Sequence, residues 1–318
     1  MTAKSWSRVA IPVSLSVLLL GCASDHYHYG VGRVALRGAK PASSVEPSSR
    51  QLWVTHGGDH PTLDRVEKVV QAPGRWIGKL LGREQLSDDE ASILRDEGLL
   101  LASNYFLANG LTDIKVDVHA YSPKLQWTRL VANKEISPIW KYTGGTASWL
   151  RYALLPHRIL HQNDFDPFTK TLSINSTRPL QGLYESAVAK EYFYHRDDIG
   201  VGNYAMLQYV PFAPLWHHVR VTQDVITYSD HHLDPGLDRQ LYPLVWARLG
   251  SIAVSETLSV FSVVPSDSFL APAMLRISGS LAGRLAGKEI ANKKYREEKR
   301  QGIHQASALE AASSTASN

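Results

Sequence analysis

The chain has 318 residues, of which 44% are hydrophobic and 20% charged, and its formal net charge at pH 7 is +4. This composition excludes wholesale disorder, a collagen-like repeat and a multi-span membrane protein. Because there is one cysteine, the sequence also excludes an intramolecular disulfide and a metal centre built from several thiolates.

The first 21 residues have the pattern of a secretory signal. Lys4 and Arg8 form a short positive region, and an apolar stretch follows from Val9 to Leu20. This stretch has the length of the apolar region of a signal peptide and is too short for a typical transmembrane helix. We therefore predict that residues 1–21 are a signal peptide.

The apolar stretch ends in Leu19-Leu20-Gly21-Cys22, which resembles the bacterial lipobox. The resemblance implies that the chain is cut before Cys22 and that this residue carries diacylglycerol and further acyl chains such as palmitate. Several acyl chains anchor a protein durably, because each buried methylene contributes about 0.8 kcal/mol. Ala23, in place of an aspartate, implies sorting to the outer membrane, facing the periplasm. The expected location is the bacterial cell envelope, with the lipid bilayer as a partner.

The rest of the chain divides by composition. Residues 22–50 are rich in Gly, Ser, Pro and Ala, which predicts a lipidated cysteine followed by a flexible tether. Residues 51–300 are expected to form a single globular body. Residues 301–318 are rich in Ala and Ser, and we expect a disordered tail.

The body opens with helical patterns and a short strand. A first helix is predicted over Thr62–Leu81. A second follows Ser87, which provides a cap before an acidic first turn, and it ends at Gly110. Ile114-Val116-Val118 alternates with polar residues and predicts a half-buried strand. A further strand is expected over Leu125–Val131, and a helix over Ser148–Leu160.

The second half of the body is mostly helical in pattern. Thr171–Asn175 alternates like a strand, and Pro179 can open a helix that runs to about Arg196. More helices are expected over residues 204–209, 216–228, 240–257 and 270–299. In the last of these, apolar residues recur every three or four positions and predict a stripe that faces the core: Leu270, Met274, Ile277, Leu281 and Leu285. The fold class is therefore α+β, helix-rich with a small central sheet.

The stretch from Thr171 to Asp224 contains an edge strand, a helix and a later helix. This order resembles the zincin metallopeptidases, and more narrowly uncharacterised bacterial lipoproteins with a His-Glu-x-x-His helix at this place. In that motif two histidines one turn apart bind zinc, and the glutamate between them acts as general base. The resemblance implies a zincin-like fold, with Glu185 at the position of the catalytic glutamate.

The chain departs from the motif at its metal ligands. Tyr184 and Val188 occupy the positions of the two histidines, and valine cannot bind a metal. The later ligand would fall near His218 or Asp224. Without the metal there is no activated water for Glu185 to deprotonate, so the glutamate is a vestigial candidate. The resemblance thus implies a relative that has lost its site and has no cofactor.

Two other functions stay open. A working zinc-dependent hydrolase would need a displaced ligand set, drawn from Glu185, His157, His161, His218 and Asp224. A structural scaffold lipoprotein would act through the long C-terminal helix. The leading interpretation is a non-catalytic lipoprotein that binds an envelope protein or glycan.

The basic residues do not indicate nucleic-acid binding, because they concentrate in one stretch. Residues 284–300 contain seven Lys or Arg and three Asp or Glu. This pattern is typical of a solvated helix end, and the alternative is contact with anionic lipid headgroups.

Overall fold

The computed structural model describes residues 52–57, 65, 86–154, 159, 161–261 and 270–316. Of the sequence-based predictions, the following lie outside the described residues: the signal peptide, Cys22, the tether, His157 and, apart from Arg65, the helix over 62–81. The contacts divide the described residues into two compact units, with the division after Val225. The composition of the sequence predicts one body over residues 51–300 instead.

The first unit contains a four-stranded sheet, as far as the structure describes it. The strands are β1 (Trp53–His56), β2 (Lys115–Val118), β3 (Asp164–Asp166) and β4 (Thr171–Ile174), in the order β1-β2-β4-β3. The strands β1, β2 and β4 are parallel, and β3 is antiparallel to β4. The strand predicted over residues 171–175 forms as β4, but its prediction as an edge strand is wrong, because β4 pairs with β2 on one side and with β3 on the other.

Helix α1 (Asp88–Ala108) forms where the capping signal predicts it. The Ser87 hydroxyl accepts from the Glu90 backbone N–H, and the Glu90 carboxylate accepts from the Ser87 backbone N–H. This reciprocal capping box satisfies two amide groups that the first turn leaves without helical partners. The chain leaves the helix at Gly110, whose φ of +67° is a conformation that glycine adopts easily.

The predicted strand over Leu125–Val131 is wrong, because these residues form helix α2 (Pro123–Ala132). Proline is favoured in a first helical turn, and the buried residues Gln126, Arg129 and Leu130 recur at helical spacing. Helix α3 (Pro138–Trp140) then continues through a π-helical turn (Lys141–Gly145) into α4 (Thr146–Leu154).

Helix α5 (Pro179–Tyr194) is the central helix of the first unit. Its residues from Gly182 to Tyr192 are all buried, and it contacts α1, β3 and β4. It packs closely on α1, since a Cβ added at Gly182 would lie 2.6 Å from the Gly98 carbonyl oxygen. The next helices are α6 (Val201–Leu207) and α7 (Ala213–His232), and the division between the units falls within α7.

The second unit is dominated by α8 (Pro235–Phe261) and α9 (Leu270–Ala316). Helix α9 extends through residues 301–316, where the sequence analysis expects a disordered tail. The two helices are antiparallel, because Gly279 approaches Gly250 and Gly287 approaches Tyr242. At these points the backbones almost touch, with a Cβ added at Gly283 lying 2.0 Å from the Trp246 carbonyl oxygen.

The predicted core-facing stripe of α9 is wrong for the residues whose side chains are described. Ile277, Leu281 and Leu285 are 59%, 56% and 67% exposed. The face that packs on α8 is formed by the glycines Gly279, Gly283 and Gly287 instead. Leu270 and Met274 belong to the same predicted stripe, but their side chains lie outside the described residues.

The described part of the protein is therefore a helix-rich α+β structure with a small mixed sheet, as the composition and periodicity predict.

Candidate functional site

Two ion pairs connect α5 and α7 in the interior of the first unit. Lys190 Nζ lies 2.7 Å from Asp224 Oδ1, and Arg220 Nε lies 2.5 Å from Glu191 Oε1. The two carboxylates and Lys190 are buried, and Arg220 is partly exposed. Consecutive residues of α5 thus pair with residues one helical turn apart on α7.

The Lys190–Asp224 pair has a third member from α1. The Tyr105 hydroxyl donates to Asp224 Oδ2, so both oxygens of this carboxylate are engaged. The ammonium of Lys190 also lies 5.8 Å from the centre of the Tyr105 ring. Burial lowers the pKa of Lys190, and the neighbouring Glu191 carboxylate opposes that shift.

The Glu191–Arg220 pair is surrounded by aromatic side chains. The imidazole of His195 is hydrogen-bonded to Glu191 at 3.2 Å, and the Arg220 guanidinium lies over the rings of Tyr194 and Trp216. Burial alone would raise the pKa of Glu191. The hydrogen bond with His195 and the positive charge of Arg220 outweigh burial, so the pKa of this carboxyl is lowered.

Two of the predicted degenerate ligand positions, Tyr184 and His218, contact each other in the structure. Tyr184 on α5 is hydrogen-bonded through its hydroxyl to Nδ1 of His218 on α7 at 2.8 Å, and the two rings stack with an angle of 9°. Glu185 and Val188, the other residues of the motif, are both buried. The helix face that would present two histidines to a metal therefore presents a phenol and an isopropyl group.

The neighbouring His217 belongs to a different contact. Its Nδ1 is hydrogen-bonded to the Tyr204 hydroxyl at 2.9 Å, and its ring stands at 84° to that of His218. Adjacent residues on a helix point about 100° apart, which explains why the two imidazoles have separate partners.

The displaced ligand set does not converge in the part of the chain that the structure describes. Asp224 is engaged by Lys190 and Tyr105, His218 contacts Tyr184, and the ring of His161 lies 6.3 Å from that of His119. Among the described residues, no group of three His, Cys, Asp or Glu side chains is placed to hold a metal ion.

A cavity of about 360 Å³ lies elsewhere in the first unit, near the beginning of β2 and β4. Charged side chains line it, among them Arg129 and Lys170. Arg129 pairs with the buried Asp117 at 2.7 Å, and Lys170 pairs with Asp113 at 2.5 Å. The residues of the degenerate motif are not part of its lining.

Sequence reasoning missed the two ion pairs, although the sequence contains a signal for them. Lys190 and Glu191 interrupt an otherwise apolar part of a predicted helix, and Arg220 and Asp224 lie one turn apart on a later helix. Charged residues are rarely fully buried unless they are paired. Opposite charges in apolar parts of two helices therefore indicate that the helices face each other.

Comparison with known proteins gives no relative for this chain. No protein-family model, curated protein or solved structure matches it. Within the described residues, the structure contains no helix with both the length and the apolar composition needed to cross a membrane.

Replacing Lys190 tests whether its ammonium is required beside Asp224. We expect Lys190→Met to lower the free energy of unfolding by about 3–5 kcal/mol, because it leaves a buried carboxylate without its cation. The double variant Lys190→Met/Asp224→Leu removes both charges and should recover most of this loss. Urea unfolding of Lys190→Met, of Asp224→Leu and of the double variant measures the coupling energy between the two side chains. A loss below about 1 kcal/mol in Lys190→Met would contradict the account.

The lowered pKa of Glu191 predicts a pH-dependent contribution to stability. A carboxyl whose pKa is lower in the folded than in the unfolded chain stabilises above the unfolded value, here about 4.5, and this stability is lost as pH falls through the folded value. We therefore expect Glu191→Gln to be destabilising at pH 7, with the difference from the natural chain shrinking as the pH falls below 4.

Urea unfolding at several pH values measures that difference. Asp96→Asn, which changes an exposed carboxylate of α1, is the control and should leave the pH profile unchanged. A difference for Glu191→Gln that is constant with pH would show that the carboxylate is not stabilised by its charged partners.

Proposed function

We propose that this chain is a lipid-anchored bacterial envelope protein whose first unit is a zincin-like domain that acts in binding or assembly and does not hydrolyse its partner. The anchor is Cys22, and the expected location is the outer membrane facing the periplasm. The partner is an envelope protein or a glycan.

The order of elements supports the zincin-like part of the proposal. The resemblance drawn from the sequence requires an edge strand, a helix with the glutamate and a later helix. In the first unit, β4 occupies the place of the predicted strand and leads directly into α5 with Glu185, although β4 is an inner strand of the sheet and not an edge strand. Helix α7 then brings His218 to Tyr184.

The contact between Tyr184 and His218 carries the proposal that the domain is not hydrolytic. In a zinc site of this type, a histidine at position 184 and a ligand from the later helix would meet at the metal. Here the two side chains satisfy each other through a hydrogen bond of 2.8 Å. Val188, at the second histidine position, contributes no ligand atom.

The ion pair of Asp224 with Lys190 also supports a domain that binds no metal. It is the carboxylate of the later helix that the sequence analysis considered as a ligand, and Lys190 already neutralises it. A divalent cation bound by Asp224 would lie beside a buried ammonium group, and this repulsion disfavours binding. The side chains at this place therefore satisfy one another's charges and hydrogen bonds without a metal ion.

Restoring the motif tests the zincin-like geometry. We expect Tyr184→His/Val188→His, together with the natural His218, to create a site for about one zinc per chain, because three neutral imidazoles then meet at one place. Zinc titration by calorimetry, with the fold monitored by circular dichroism, measures the gain.

The matched control for the restored motif is Leu183→His/Ala187→His, which places the same pair with the same spacing on another face of α5. It should bind zinc no better than the natural chain. A folded Tyr184→His/Val188→His variant that gains no affinity over this control would overturn the zincin-like assignment.

The anchor is tested separately. In a bacterial host fed an alkyne analogue of palmitate, the natural chain should be labelled and recovered with membranes, whereas Cys22→Ser should be neither. Cys22 is the only cysteine, so no other thiol can take the lipid. Labelling of the Cys22→Ser variant, or failure to label the natural chain, would contradict lipid anchoring.

A further inference from the structure

The density of charged residues changes along the antiparallel hairpin of α8 and α9. Residues 249–283, which include the end of α8, the connection and the beginning of α9, contain three charged residues: Glu256, Asp267 and Arg276. The next 17 residues, 284–300, contain ten, of which seven are Lys or Arg. The sequence of this half is therefore poor in charge, and a basic segment follows it on α9.

The packing of the hairpin leaves apolar side chains on its outer surface. Gly279, Gly283 and Gly287 face α8, so the contact between the helices is made by backbone and needs no large side chain from α9. Ile277, Leu281 and Leu285 each lie two positions before one of these glycines. Two positions correspond to about 200° on a helix, which places the stripe opposite α8, where it is more than half exposed.

The other half of the hairpin is held by polar contacts. Lys294 on α9 pairs with Asp238 at 2.8 Å and with Asp230, and Arg239 donates to the Asn292 side chain at 2.7 Å. Burial alone would lower the pKa of Lys294, but its bonds with Asp230 and Asp238 raise it, so this lysine stays charged. The polar contacts and the glycine packing together fix which face of α9 the apolar stripe occupies.

We propose that this face of α9 is a docking surface for an anionic lipid bilayer. The stripe of Ile277, Leu281 and Leu285 enters the boundary between headgroups and acyl chains, and the exposed Arg284 and Lys288 contact anionic headgroups. Amphipathic helices with apolar residues on one side and adjacent basic residues bind membrane interfaces in this way. The contact is a second one, separate from the lipid on Cys22.

Charge favours a bilayer over a second copy of the chain as the occupant. Arg284 and Lys288 are exposed, and the helical period places both on the same side of α9 as the stripe. Two copies packed stripe to stripe would bring these cations together, which is unfavourable, whereas anionic headgroups are complementary to them. The proposal depends neither on the zincin-like assignment nor on lipidation.

The single cysteine allows a direct test. In the full chain with Cys22→Ser, the exposed Ser278 beside the stripe is changed to cysteine and labelled with an environment-sensitive fluorophore. We expect several-fold brighter and blue-shifted emission with vesicles of phosphatidylglycerol and phosphatidylcholine, and little change with phosphatidylcholine alone. The same label at Ser92→Cys, an exposed serine of α1, should not respond.

Substitution of the stripe then identifies the surface. Leu281→Glu/Leu285→Glu should abolish the response of the label at Ser278→Cys, and Ile93→Glu/Leu100→Glu, a pair of exposed apolar residues on α1, should preserve it. The proposal is overturned if anionic vesicles produce no response, if pure phosphatidylcholine produces the same one, or if the stripe variant responds like its control. A response that grows with protein concentration without lipid would assign the surface to a second copy instead.

Discussion

The two buried ion pairs between α5 and α7 are the constraint on which the arrangement of the first unit depends. Lys190 and Glu191 have opposite charges, as do their partners Asp224 and Arg220, so sliding or rotating one helix would place like charges together. A buried charge without its partner costs several kcal/mol, and the pairs therefore specify one register of the two helices. In this register Tyr184 meets His218 at 2.8 Å. The contact between Tyr184 and His218, which occupies the candidate site, therefore depends on the same packing of α5 against α7.

The elements of the fold that could be predicted are those with strong local signals. Helix α1 begins at the Ser87 capping box, and β2 has a clean alternation of apolar and polar residues. Helix α2 is predicted as a strand because its apolar residues alone fit either period. The buried Gln126 and Arg129 show its helical face only once their partner Asp117 is known. Strand β3 has three residues and forms because β4 lies beside it, so its own sequence contains little signal.

The candidate site and the second unit show why tertiary contacts limit such predictions. The motif positions Tyr184, Glu185 and Val188 can be found in the sequence, but the ion pairs depend on how two helices pack, since the paired residues are 29 and 34 positions apart. On α9 the spacing of Ile277, Leu281 and Leu285, with an apolar residue at every fourth position, normally indicates a core face. Here the glycines on the opposite side permit a closer approach than large side chains would, and this backbone contact takes the place of an apolar seam. A periodic pattern shows that a helix has an apolar face, but not what covers it.

The central claim is that the side chains at the candidate site of the first unit bind one another and hold no metal ion. Its most direct test is the zinc content of the natural chain, measured by elemental analysis after purification without chelators or metal-affinity steps and after incubation with zinc. The account predicts far less than one zinc per chain under both conditions. About one tightly bound zinc per chain, lost in the variants His218→Ala or Asp224→Asn, would contradict it and indicate a working metal site.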